Sequence, residues 1–204
     1  MYYILQNELE KPKFDAHLEG PLINSEGELM PNIFGKGKSL KKTADKGYSI
    51  AIDDTYSLSG KLRDRLSVCV HNSDNLFIIS EKAQHLLDES LHAQVEFYPF
   101  YFTYNNIFIS NYKIVNILNQ VDCVDSKESK IDFGWYDDND IGQGSIYTID
   151  GLVLDTSLIP QHLNIFLLGR REDAIIVVHE RLVDKVKKLS LSGFVFCKPE
   201  DFRL

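Results

Sequence analysis

LFIISEKAQHLLDESL (76–91) is the stretch that decides the fold. LFIIS is a continuous apolar run of strand length, too short for a helix, as expected of a buried strand. Ser80 then supplies a side-chain oxygen that can accept a hydrogen bond from an early helical N–H. In EKAQHLLDESL, Ala83, Leu87 and Leu91 recur on one helical face, with Leu86 on the same flank. VEFYPF (95–100) follows as a strand. Pro99 predicts a sheet edge or a strand end there, because proline has no N–H for a ladder.

The same design returns in DAIIVVHERLVDKVKKL (173–189). DAIIVV is a second buried strand. HERLVDKVKKL is a second helix, with Leu182, Val186 and Leu189 on one stripe and Val183 beside it. GFVFCKP (193–199) closes the unit with a strand and a proline. The two units pair without gaps: Asp74 with Asp173, Ile79 with Val178, Glu81 with Glu180, Lys82 with Arg181 and Phe97 with Phe196. One inserted residue then aligns Pro99 with Pro199. The expectation is two strand–helix–strand units related by an internal pseudo-repeat. The competing account is convergent patterning of any two such units.

Further β-prone runs are YYIL at the start, GYSIAI (47–52), LSVCV (66–70), NNIFIS, YKIVNIL, VDCV, SIYTI, LVLD and NIFLL. Strands outnumber helices, so the expected class is α+β: a mainly antiparallel mixed sheet with a few helices on one face. HNSDN (71–75) is a breaker cluster. It suggests an N-terminal β-rich lobe (1–72) and a C-terminal α+β domain (73–204), or one continuous domain.

The chain has 204 residues, 44% apolar and 25% charged, which suffices for a real core without covalent staples. Lys and Arg number 22 against 30 Asp and Glu, a net charge of −8. A polyanion needs basic side chains to displace its counterions. Nucleic acid and anionic membrane are therefore poor partners, and a basic protein is a better one. Cys69, Cys123 and Cys197 are odd in number and widely spaced, without a CxxC, so they are expected as free thiols in a reducing compartment. The start, MYYILQNELEKPKF, lacks a basic n-region, and no apolar run is long enough to span a bilayer. A cytoplasmic location is expected.

Candidate chemistry is sparse. GKGKS (35–39) resembles the end of a phosphate loop, but Asn32 stands where the motif needs its first glycine, so a solvated basic turn is expected. The acids of DDND (137–140) are adjacent rather than alternating and lack a closing Glu, so calcium is not expected. No histidine forms an HxH or HExxH pattern, and no nucleophile motif or dinucleotide loop is present. No catalytic residue, metal or cofactor is assigned. Trp135 and Tyr136 beside Asp137, Asp138 and Asp140 form an aromatic and acidic group of the kind that anchors protein interfaces. Asp53, Asp54 and Tyr56 after GYSIAI form a second. An enzyme using His179, Glu180 or Cys197 is the alternative from a different class, and a scaffold dimerised through an edge strand is a third.

Four segments taken together, LFIISEKAQHLLDE, VEFYPF, YKIVNILNQVDCVD (112–125) and GFVFCKPEDF (193–202), resemble a family of bacterial polymorphic-toxin immunity proteins. The resemblance covers 76–202, and the first seventy residues match only weakly, through YYIL. It implies a stoichiometric inhibitor that binds the C-terminal domain of a cognate toxin. It transfers no active site, and the oligomeric state stays open.

Overall fold

The structure, a computed structural model, describes residues 1–6, 17–19, 22–24, 34, 36–41, 48–50, 62–69, 76–91, 94–104, 106–133, 146–170 and 174–204. In chain order the strands are β1 (Tyr2–Gln6), β2 (His17–Glu19), β3 (Leu22–Asn24), β4 (Tyr48–Ile50), β5 (Arg65–Cys69), β6 (Ile78–Ser80), β7 (Val95–Tyr104), β8 (Ile107–Ile117), β9 (Gln120–Val121), β10 (Ile131–Phe133), β11 (Ile146–Ile149), β12 (Ile165–Leu168), β13 (Ile176–His179) and β14 (Val195–Cys197). The helices are α1 (Glu81–Leu91) and α2 (Glu180–Lys188). The class is α+β with mostly antiparallel mixed sheets, as the patterning predicts.

Of the two large sheets, one has the order β2-β5-β6-β8-β7-β4-β3 and the other β14-β1-β13-β12-β9, and β10 and β11 form a separate two-stranded sheet. The large sheets share one arrangement of four strand pairings, to which the larger adds β4, parallel to β7, and β3, antiparallel to β4. β5 runs parallel to β2 and antiparallel to β6, and β8 lies antiparallel between β6 and β7. β12 runs parallel to β9 and antiparallel to β13, and β1 lies antiparallel between β13 and β14. β8 follows β7 directly, whereas β1 comes from the opposite end of the chain. Strands from both sides of residue 72 are hydrogen-bonded to one another in each large sheet, β5 to β6 and β1 to β13 and β14.

The helices start where the sequence places them. Ser80 Oγ accepts from the Ala83 N–H at 3.1 Å. His179 Nδ1 accepts from the Arg181 N–H at 3.1 Å and caps α2 in the same way. Ala83, Leu87 and Leu91 of α1, with Leu182, Val183 and Val186 of α2, enter one apolar cluster. That cluster also takes Ile79, Val115 and Ile117 from the larger sheet and Leu5, Ile165 and Val178 from the smaller, so it joins both sheets to both helices. Neighbouring strand residues point the other way. Ile78, Phe100 and Ile114 build a second cluster, and Ile4, Phe166 and Val177 a third. This alternation explains why 76–80 and 174–178 read as unbroken apolar runs: both faces of each strand are covered.

Pro99 corrects the expectation drawn from it. It is neither at an edge nor at an end, because β7 continues to Tyr104 and lies between β8 and β4. Pro99 pairs with Lys113 of β8, and the register with β4 begins one residue later, at Phe100. Among the described residues no strand partner stands opposite Pro99 on the β4 side, so none of them loses a donor to its missing N–H.

The sheets are tied together at Arg65 and Gly193. The Arg65 N–H donates to the Ser192 carbonyl at 3.0 Å, and its Nη1 donates to the Gln6 carbonyl at 2.7 Å and to that of Gly193 at 3.2 Å. Gly193 has φ +82°, and a Cβ there would lie 2.2 Å from the Arg65 carbonyl oxygen. Only glycine permits both the backbone angle and that approach.

Candidate partner-binding surface

The residues expected from sequence to contact a partner, Trp135, Tyr136, Asp137, Asp138, Asp140, Asp53, Asp54 and Tyr56, all lie outside the described residues. What brackets 134–145 is described. β10 and β11 pair antiparallel with an irregular register, and the Thr148 hydroxyl donates to Asp132 Oδ2 at 2.8 Å. Tyr147 of β11 is 73% exposed.

A surface that the sequence reading passed over lies at the far end of the β7–β8 hairpin. The pairs there are Phe102 with Ile109, Thr103 with Phe108 and Tyr104 with Ile107. From the Phe100–Tyr112 pair to the Phe102–Ile109 pair, β7 advances two residues and β8 advances three. This extra residue is a β-bulge, and it swaps the faces of β8 beyond it. Ile109 and Tyr104 therefore turn toward the aromatic cluster of Phe100 and Tyr112. Phe108 turns to the opposite face, where its ring stacks on Tyr101 at 5.9 Å and 19°. Phe108 is 67% exposed and Ile107 62%. Residues 97–112 contain no Asp, Glu, Lys or Arg, in a chain that is 25% charged. That gap in the charge pattern was the signal available in the sequence.

Two carboxylates among the described residues, Glu96 and Asp64, are held by several donors each. Glu96 is buried and accepts four hydrogen bonds: Ser39 Oγ at 2.5 Å, the Leu40 N–H at 3.0 Å, Tyr98 Oη at 2.5 Å and Asn116 Nδ2 at 3.3 Å. Burial pushes its carboxyl up, but these donors outweigh it and hold the group below its ordinary range. Burial and the Glu96 carboxylate together push the Tyr98 hydroxyl far up. The Ser39 hydroxyl, at the end of the segment that resembles a phosphate loop, and the Leu40 N–H just after it thus donate to a carboxylate of their own chain. Asp64 joins the start of α1 to the turn after α2: it accepts from Ser80 Oγ at 3.2 Å, from the Ser192 N–H and Oγ at 2.9 Å each, and pairs with Lys82 at 3.3 Å. Burial again acts upward on its carboxyl, and the Ser192 and Lys82 donors bring it below the ordinary value.

Of the side chains considered for chemistry, Glu180 pairs through Oε2 with the N-terminal ammonium at 3.5 Å. Besides capping α2, His179 Nδ1 accepts from Arg181 Nε at 3.2 Å. Burial, with the neighbouring Arg181 and the N-terminal ammonium, lowers its pKa. Burial pushes the Cys123 thiol up to about 12 and the Cys197 thiol up to about 11, away from the thiolate that nucleophilic chemistry needs. Among the described residues no group of three or more His, Cys, Asp or Glu side chains is placed to hold a metal ion, and no helix is long and apolar enough to cross a membrane.

The model of the Immunity protein family (Imm11) matches residues 32–201. The chain belongs to this family. The Imm11 match begins ahead of Phe34, includes β4 to β14 and ends in the turn at Pro199–Asp201. It reaches further toward the N-terminus than the segment resemblance over 76–202. The β7–β8 hairpin, the Glu96 site and the Asp64 junction all fall inside it. β1, which lies between β13 and β14 in the five-stranded sheet, falls outside. No curated protein matches the chain.

Proposed function

We propose that the protein neutralises a cognate bacterial toxin in the cytoplasm by binding its C-terminal domain stoichiometrically. The family match over 32–201 carries this reading, since an immunity protein acts on a toxin as a binding partner rather than through turnover. The net charge of −8 supports a basic target, whose approach it would accelerate. The state of His179, Cys123 and Cys197 supports inhibition by contact over an enzymatic role. The acidic and aromatic groups at 53–56 and 135–140 are the proposed charged contacts. The test is calorimetric titration of the purified protein with the toxin domain encoded beside it, in a catalytically inactive form. A saturable one-to-one heat is expected. The absence of any heat, with both proteins folded, refutes the proposal.

A further inference from the structure

We infer that the far end of the β7–β8 hairpin is an apolar tongue that inserts into a cleft of a basic protein domain, the toxin domain of the preceding section, on whose reading this inference rests. The tongue is apolar on both faces. Phe108, stacked on Tyr101 beside Thr103, occupies one face, and Ile107 beside Tyr104 occupies the other. Among the described residues no third strand pairs with the hairpin beyond Tyr101 and Tyr112, and a flat surface can cover only one face of such a ribbon. Covering Phe108 and Ile107 together requires walls on both sides, which is a cleft.

Exposed strands ordinarily carry charged side chains that discourage unwanted pairing. Residues 97–112 carry none. Aromatic enrichment with charge depletion is the composition of an interface core. The charge of the chain selects the occupant. Two copies, each at −8, repel one another as they approach, whereas a basic domain is drawn in and meets a neutral, apolar anchor. The bulge swaps the faces of β8 beyond it, so that Ile109 rather than Phe108 turns to the core and Phe108 is left for the partner.

The experiment compares wild type with F108S, I107S and T103K for binding to the inactive toxin domain by surface plasmon resonance, with thermal unfolding as the control for folding. Phe108 and Ile107 are more than half exposed, so unfolding temperatures close to wild type are expected. Both serine variants should bind at least about 30-fold more weakly, chiefly through faster dissociation. T103K keeps every apolar group but sets a charge opposite Phe108, and it should weaken binding in the same direction. If only one serine variant weakens binding, the tongue docks on one face and the cleft is refuted. If wild type binds and all three variants bind equally well, the hairpin is refuted while the inhibitor reading stands. If wild type does not bind, both fall. Light scattering on the protein alone covers the remaining occupant: a dimer that F108S converts to a monomer would make a second copy the occupant and overturn the inference.

Discussion

Replacing Glu96 separates charge from shape at the point where segment 36–41 meets the larger sheet. In Glu96→Gln the amide nitrogen can face Ser39, whose hydroxyl turns to accept from it. The amide oxygen then keeps Tyr98, Leu40 and Asn116 as donors. The bonds survive as neutral ones, and a bond to a charged acceptor exceeds a neutral one by about 1 kcal/mol. Removing a buried carboxylate also removes its desolvation penalty, which offsets part of the loss. The expected destabilisation is about 1–3 kcal/mol at pH 7. Glu96→Ala leaves the buried Tyr98 hydroxyl and one Asn116 donor facing a cavity, and should cost about 3–5 kcal/mol. The pH dependence follows from the sign of the shift. The native Glu96 pKa is depressed. Its contribution is therefore complete above the unfolded value of about 4.3 and is lost as pH falls through the native one. Urea unfolding of wild type and Glu96→Gln at pH 7 and at pH 3.5 measures this, and the gap between them should narrow at the lower pH. A gap that does not change with pH, or a Gln variant as stable as wild type at pH 7, would refute the reasoning.

Gly193→Ala should destabilise by at least about 3 kcal/mol, since a left-handed backbone costs an L-residue about 1–2 kcal/mol and the Arg65 carbonyl cannot move without breaking the junction. An unchanged urea midpoint would contradict this. Charge reversal at Asp137 and Asp138 should slow association with the toxin domain more in low salt than in high salt, as stopped-flow mixing would record. An unchanged low-salt rate would remove that segment from the contacts. With its thiol near 11, Cys197 should react with iodoacetamide at pH 8 on the order of 100-fold more slowly than free cysteine, by mass spectrometry of the alkylated peptide. A rate equal to that of free cysteine would reopen the question of its reactivity.

Local chemistry was legible in the sequence wherever neighbours along the chain decide the structure. The α1 boundaries follow from Ser80 and the Ala83–Leu87–Leu91 spacing, and α2 begins where HERLVDKVKKL places it. Long-range placement was not legible. Nothing in YYIL says that it fills the gap between β13 and β14, because both partners lie at the other end of the chain. Pro99 was misplaced for a related reason: its tolerance depends on where β4 starts, a fact of register rather than of residue type. The burial of Glu96 depends on donors from 39, 40, 98 and 116, most of them distant along the chain. Phe108 was counted as strand-forming. Its exposure depends on a bulge, and one extra residue in β8 has no distinctive composition.

Growth of bacteria expressing the adjacent toxin domain, with and without this protein, tests the account most directly. The account predicts killing without the protein and growth close to that of a toxin-free strain with it. Equal killing in both cultures, with the protein accumulating in folded form, would contradict it.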